Sequence, residues 1–417
     1  MSYSELSLKL TDRISKKEKK ENGIYFTPLT TIHKNIETLT KYMSTVKTIL
    51  EPSCGSCEYI IELRKKFPST PFRITGIELN RTIYDEVCGM VENEDNSESN
   101  ATSLKLINDD FINWKTDDKF DLIIGNPPYY VTSKKQLSRE YHKYFDGRPN
   151  IYIVFIIRAL QLLNENGILS FVLPKSFLNC LYYDKTRKHI VSAFEILHIL
   201  EGTDDFLETS QGTIILILRN ASKSLTVNKS PYVFDIGGYT IIGYPQHISE
   251  LRSLCSNATT LSDMGFTVSV GNVVWNQCKP LLTDDTTKTL LIYSSDIKNN
   301  KLTIQTYSNK DKKNYIKKTG SKEPVLVVNR GYGMGNYKLQ YCLIDEDDQE
   351  YLIENHLICI KITPHTYIDR ENAIGRYNQI IRSFENEKTH KFIRLYFANN
   401  AINTTELHKI VPIFTNA

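Results

Sequence analysis

Asn126, Pro127, Pro128 and Tyr129 follow directly on the apolar run Asp121–Ile124 and Gly125. Two consecutive prolines neither donate to a sheet nor continue a helix, so they hold the chain in an extended turn at the end of the preceding strand. Such a turn presents one amide side chain, one backbone carbonyl and one aromatic face in fixed relation. The Asn126 oxygen and the Pro127 carbonyl can each accept a hydrogen from an exocyclic amino group and draw its lone pair out of conjugation, while Tyr129 stacks on the ring. The amine nitrogen then becomes a competent nucleophile. A purely structural Pro-Pro turn with an Asn cap explains the prolines but not both flanking residues.

Three upstream clusters have the chemistry of a cofactor site. Ile49 to Cys57 reads as a strand end (Glu51, Pro52) followed by small residues (Ser53, Cys54, Gly55, Ser56) that let backbone approach a ligand. The loop lacks the G-x-G-x-x-G spacing, which points to an adenosine-bearing cofactor other than a dinucleotide. Glu78, with Leu79 beside it, places a carboxylate where it can accept both ribose hydroxyls. Asp110 and Phe111 supply an acceptor for an adenine amino group and an aromatic wall. Any one of these acids alone reads as a solvated loop residue; four strand ends in sequence order are far more specific.

The elements that must position them follow from periodicity. Thr48–Leu50, Arg73–Ile77, Lys105–Asn108, Asp121–Ile124, Ile168–Leu173, Ile196–Glu201 and Thr213–Leu218 read as strands, with amphipathic stretches such as Tyr59–Lys66 and Tyr152–Leu163 between most of them. This alternation predicts a doubly wound α/β domain with ligands at the carboxyl ends of its strands. Glu92–Ser103 reads as a surface loop. After about Pro231 the rhythm changes to Gly- and Tyr-rich strands at Phe234–Tyr244, Pro324–Asn329 and Tyr337–Ile344, then helices at Ala373–Ser383 and Lys388–Phe397 and a short one capped by Thr404 or Thr405. The expected division is a catalytic domain over residues 1–245 and a mixed α+β domain over 246–417.

Composition fits a globular chain of 417 residues, 41% hydrophobic and 24% charged, with 51 basic against 48 acidic side chains and a net charge of +3. That balance neither announces nor forbids a nucleic-acid partner. No apolar run approaches the roughly 20 residues a membrane helix needs, and the Lys-rich N-terminus has no apolar stretch after it, which predicts an intracellular, cytoplasmic protein. Cys54 and Cys57 lack a second pair to complete a zinc site, so no metal is expected. Lys298–Lys322 is dense in lysine, including Lys317 and Lys318, and reads either as a DNA-backbone contact or as a solvated loop. Arg330 and Tyr332, in the run Arg330–Tyr337, read as a hairpin tip in which Arg330 could pair with guanine or phosphate.

With these motifs assembled, the chain resembles the N6-adenine-specific DNA methyltransferases of gamma motif order, in the type II restriction-modification class. Gly23 to Pro28 resembles the family's opening motif, Glu51 to Gly55 its first cofactor loop, Glu78 and Leu79 its ribose contacts, Asp110 and Phe111 its adenine contacts, and Asn126 to Tyr129 its catalytic motif. The resemblance covers about residues 20 to 220. It implies a Rossmann-like domain that uses S-adenosyl-L-methionine, held in part by Tyr25, Thr27, Pro28, Glu51, Pro52, Ser53 and Gly55 and reaching Asn126, followed by a target-recognition domain. It also implies double-stranded DNA as partner, a target adenine flipped from the duplex with Phe206 on the face opposite Tyr129, and a monomer that methylates alone or beside a separate cognate restriction endonuclease. Cys57 stands where the family usually has glycine.

The same Asn-Pro-Pro-Tyr chemistry serves methyltransferases that act on RNA bases or protein glutamine, and a catalytically silent DNA-binding specificity protein is a further alternative. Glu51-Pro52 and the large C-terminal domain point away from the glutamine enzymes. The intact Asn126, Glu78 and Asp110 oppose a silent protein.

Overall fold

The computed structural model describes residues 3–94, 101–203, 206–207, 212–221, 230–331, 337–346, 348–363, 369–397 and 401–415. Contacts divide the chain into two compact units, residues 1–233 with 239–245 and residues 234–238 with 246–417.

The first unit is an α/β domain around a seven-stranded sheet of β1 (Thr48–Glu51), β2 (Arg73–Glu78), β3 (Ser103–Asn108), β4 (Phe120–Gly125), β5 (Leu163–Pro174), β6 (Glu195–Glu201) and β7 (Thr213–Arg219), in the order β3-β2-β1-β4-β5-β7-β6. Strands β1 to β5 pair in parallel, whereas β7 runs antiparallel to both β5 and β6. The expected doubly wound α/β domain is thus a mixed sheet, parallel except at β7. The connection from Glu201 to Thr213 is too short for a crossover helix, so β7 returns beside its predecessor.

Helices cover both faces: α1 (Glu5–Arg13), α2 (Lys16–Asn22), α3 (Leu29–Leu39), α4 (Glu58–Lys66), α5 (Arg81–Glu94), α6 (Ile151–Gln161) and α7 (Asp184–Ala193). Successive side chains of β7 alternate between the two faces of the sheet, and both faces are buried. Ile214, Leu216 and Leu218 join one hydrophobic cluster with α6, and Ile215 and Ile217 join a second with α1, α3 and α4. This two-sided burial is why β7 reads as an unbroken apolar run.

Strand order reverses between β1 and β4, which pair Ile49 with Leu122 and Leu50 with Ile123. Ligands of doubly wound folds bind outside the carboxyl ends of the strands at such a reversal. Here those ends are Glu51 and Gly125.

Along the chain, β8 (Val233–Ile236), β9 (Tyr239–Ile242) and α8 (Pro245–Cys255) come next. The single strand expected over Phe234–Tyr244 is broken because Gly237 and Gly238 take left-handed backbone, φ 58° and 82°. The second unit then carries β10 (Phe266–Val270), β11 (Leu282–Thr283), β12 (Thr289–Ile292), β13 (Ile297–Lys298), β14 (Lys301–Leu302), β15 (Tyr315–Ile316), β16 (Val325–Asn329), β17 (Tyr341–Ile344), β18 (Tyr351–Ile353) and β19 (Leu357–Ile362), followed by α9 (Arg370–Glu385), α10 (Glu387–Tyr396) and α11 (Thr404–Lys409). Two four-stranded sheets, β10-β19-β16-β17 and β11-β15-β12-β18, carry its core. Asn403, not Thr404 or Thr405, caps α11, in a capping box with Glu406. The lysine-rich stretch Lys298–Lys322 is not one loop. It contains β14 and β15, and the Lys312 ammonium sits 3.7 Å from the Tyr307 ring centroid and 4.0 Å from that of Tyr293.

Candidate active site

The loop after β1 is built by its neighbours. Cys54 N–H donates to the Ile77 carbonyl at 2.9 Å, Gly55 N–H donates to Glu78 Oε2 at 2.9 Å, and Ser53 Oγ donates to the Asn126 carbonyl at 3.1 Å. Each bond ties the end of β1 to the end of an adjacent strand. Cys57 takes left-handed backbone, φ 59°, at the start of α4, and its side chain is fully buried in the cluster beneath the loop, outside the cavity. The Cys54 thiol hydrogen-bonds to it, and that bond together with burial pushes the Cys54 pKa well up, the signature of an inert thiol pair. Both cysteines are free.

Glu78 is buried and accepts two backbone amides, Gly55 N–H and Asn80 N–H, the latter at 2.7 Å. Burial raises its pKa, while the amides of Asn80, Gly55 and Leu79 oppose the shift. Glu51 is 3% exposed, and its Oε2 has no hydrogen-bond partner among the described residues. Burial, then Cys57, Glu58 and Glu78, hold the Glu51 carboxyl well above the usual range. Gly125 at the end of β4 takes φ 152°, backbone that L side chains rarely adopt, within van der Waals reach of Glu51 Cγ. Asp110 is fixed by Ile112 N–H at 3.0 Å and Asn113 Nδ2 at 2.6 Å, and the buried Phe111 ring lies 5.0 Å from that of Phe155.

The Asn126 amide is held at both ends. Its Nδ2 donates to the Tyr25 carbonyl at 3.1 Å, and its Oδ1 accepts the Tyr129 phenol at 2.5 Å. These partners fix which end of the amide is which. The Tyr129 oxygen also lies 2.8 Å from the Val172 carbonyl, and its ring meets Tyr152 edge-on at 5.8 Å. Burial pushes the Tyr129 phenol well up, so it stays a neutral donor. Gly23 ends α2 in left-handed conformation, and a Cβ there would come within 2.5 Å of Tyr129 N, so glycine lets the opening motif rest on the Pro-Pro turn.

A cavity of about 600 Å³ opens at these strand ends. Tyr25, Pro52, Ser53, Gly55, Glu78, Leu79, Asp110, Phe111, Asn126 and Pro128 line it. Thr27, Glu51 and Pro127 are buried and not part of that lining, and Pro28 instead precedes α3 as its cap residue. Tyr129 lies behind Asn126, and it is Tyr130 that lines the cavity. Phe206 is buried with Leu6 and Leu10 in the second cluster, away from the lining. Sequence reasoning missed Asn80, Tyr130, Tyr141 and Phe155. The doubled tyrosine at 129 and 130 was the available signal, since adjacent residues on an extended segment point to opposite sides.

In the second unit, Lys317 and Lys318 line an open hollow with Lys288 and Lys322. Lys318 Nζ is 3.5 Å from Cys278 Sγ. The Arg330 carbonyl accepts Ile402 N–H at 2.9 Å, and Tyr332 lies outside the described residues. Among the described residues there is no cluster of His, Cys, Asp and Glu able to hold a metal, and no helix long and apolar enough to cross a membrane.

The donor set suits a sulfonium nucleoside. The cavity is in the size range of small-ligand sites, four acids (Glu78, Asp109, Asp110 and Glu140) line it, and Glu51 Oε2, buried and without a hydrogen-bond partner among the described residues, sits at the adjoining end of β1.

Residues 22–206 match the Eco57I restriction-modification methylase family. The whole chain is similar to "Type II methyltransferase M.CvrRI" of Paramecium bursaria Chlorella virus XZ-6E, 28% identical with 99% of each chain covered. It is likewise similar to "Modification methylase CviBIII" of Paramecium bursaria Chlorella virus NC1A, 26% identical with 99% of each covered. Among solved structures, one from a DrdV–DNA complex shares the fold over 99% of this chain and 57% of that one, at 12% identity and a TM-score of 0.53. The similarity to these type II restriction-modification methyltransferases thus runs over the full length of the chain, beyond the segment that carries the motifs.

Proposed function

We propose that the protein transfers a methyl group from S-adenosyl-L-methionine to the N6 amino group of adenine in duplex DNA. The observation that carries this reading is the Asn126 amide, anchored at both ends on the wall of a cavity where the strand order reverses. Bound there, S-adenosyl-L-methionine would supply an electrophilic methyl group on its sulfonium. Glu78 would accept the ribose hydroxyls beside Leu79, Asp110 would take the adenine amino group against Phe111, and Glu51 would offset the positive end of the ligand from below. Tyr25, Thr27, Pro28, Pro52, Ser53 and Gly55 would shape the remaining wall.

On the substrate side, Asn126 Oδ1 has a second lone pair, and with the Pro127 carbonyl it would accept the amino hydrogens of a base that has left its stack. This is activation by fixed dipoles, with no reorganisation at the moment of reaction. Pro128, Tyr129 and Tyr130 would bound the base. Phe206 could join them only by leaving its buried cluster. In the second unit, Lys317 and Lys318, with Arg330 and Tyr332, would contact the DNA. A separate cognate endonuclease would complete a restriction-modification pair.

The test is long-read sequencing of DNA from cells expressing the protein, beside an Asn126→Ala variant. One adenine motif should become modified with the wild type and none with the variant, which keeps its cofactor affinity. Modification of RNA or of glutamine peptides with DNA untouched would overturn the substrate class, and full activity in Asn126→Ala would overturn the proposed chemistry.

A further inference from the structure

Helix α1 and all of α2 but its last residue precede the family match, which begins at residue 22, yet their polar side chains reach two of the strand-end loops around the cavity. The apolar side of α1 places Leu6 and Leu10 in the same cluster as Cys54, Cys57 and Tyr59. On its polar side Ser7 is fully buried, and its Oγ donates to Glu58 Oε1 at 2.9 Å. Since Ser7 has one hydroxyl proton, Ser56 Oγ, at 2.8 Å, is the donor to Ser7. Ser4 Oγ also donates to Glu58. Ser56 belongs to the loop after β1, and Glu58 opens α4. In α2, Glu18 Oε1 accepts Asn80 Nδ2 at 2.9 Å, and Asn80 N–H is one of the two amides on Glu78.

We propose that Ser7 and Glu18 are positioning residues for the cofactor site. They hold the loops after β1 and β2 at the spacing in which Gly55 N–H and Asn80 N–H both reach the Glu78 carboxylate. Without the Ser7 hydroxyl, Ser56 loses its acceptor among the described residues, and without the Glu18 carboxylate Asn80 Nδ2 loses its acceptor, leaving the Asn80 side chain held only through Oδ1 by the amides of Thr82 and Ile83 in the following helix α5; each loss loosens one side of the Glu78 cradle. This inference rests on the reading of the cavity as an S-adenosyl-L-methionine site.

The test uses the full chain and three variants, Ser7→Ala, Glu18→Ala and Glu18→Gln, with S-adenosyl-L-methionine affinity from calorimetry and methylation kinetics on DNA. Ser7→Ala and Glu18→Ala should each weaken cofactor binding and raise its KM roughly ten-fold, the scale of one hydrogen bond to a charged or buried group. kcat at saturating cofactor and KM for DNA should stay within about twofold, and Glu18→Gln, which keeps an acceptor for Asn80, should return close to wild type. Glu18 is only half-buried, so its variants carry the test if Ser7→Ala does not fold. Unchanged cofactor affinity in folded Glu18→Ala, or equal losses in kcat and in KM for DNA, would overturn the proposal. Failure of the wild type itself to bind S-adenosyl-L-methionine would instead overturn the cofactor reading beneath it.

Discussion

The Tyr129 phenol lies 2.5 Å from Asn126 Oδ1 and 2.8 Å from the Val172 carbonyl, one proton between two acceptors. The hydroxyl and the ring of this tyrosine therefore have separable jobs. Tyr129→Phe keeps the edge-on contact with Tyr152 and removes only the oxygen that fixes Asn126. Methylation kcat should fall roughly ten-fold from lost preorganisation, with cofactor affinity by calorimetry unchanged. A kcat equal to wild type would show that the amide needs only its Tyr25 partner.

Cys57 should invert the usual order of glycine and alanine substitutions. Its left-handed backbone costs an L-residue about 1–2 kcal/mol, and glycine escapes that cost. Cys57→Gly should melt above Cys57→Ala although both lose the buried thiol, and a β-branched Cys57→Val should melt below either. Thermal denaturation of the three variants checks the order.

Glu51 gives a pH dependence with a definite sign. Its folded pKa is raised above the ordinary 4.5, so the folded protein holds this proton more tightly than the unfolded chain. The stabilisation is complete below about pH 4.5 and is lost as pH rises through the folded value. A tenfold difference in proton affinity corresponds to about 1.4 kcal/mol. Glu51→Gln imitates the protonated form, so it should melt above wild type at pH 8 and converge with it as the pH falls to 4.5. A gap that persists in acid would place the effect elsewhere.

The lysines of Lys298–Lys322 should not act alike. Lys312 is enclosed by Tyr293 and Tyr307, and burial pushes its ammonium below the ordinary pKa while Asp296 and Glu354 oppose that shift. Lys317 and Lys318 line an open hollow instead. In DNA-binding titrations across salt concentrations, Lys317→Gln and Lys318→Gln should each reduce the log–log slope by about 1. Lys312→Met should leave it unchanged.

The strands and the motifs at their ends were legible because buried strands read as apolar runs and the loop chemistry is local in sequence. Glu78, Asp110 and Asn126 could be placed on that basis alone. Side-chain direction was not legible. Glu51 is buried beside the end of β4 and outside the cavity lining, the Tyr129 hydroxyl turns to the Val172 carbonyl, and Phe206 packs in apolar company with Leu6 and Leu10. Each of these is decided by residues far away in sequence. The reversed direction of β7 was equally hidden, since a strand buried on both faces shows the same apolar run in either direction. The role of α1 was masked by the basic residues that follow it.

The reversal of strand order at β1 and β4 also bears on how the protein folds. Thr48 N–H donates to Asp121 Oδ2 across 73 residues of chain, so joining these strands closes a long loop whose entropy must be met before the contact stabilises anything. The contacts of Asn126 with Tyr25 and of Ser53 with Asn126 span 101 and 73 residues of chain and carry a closure cost of the same kind. A partly folded or truncated chain that fails at this step has no weakened version of the site; chemical competence arrives together with the native sheet.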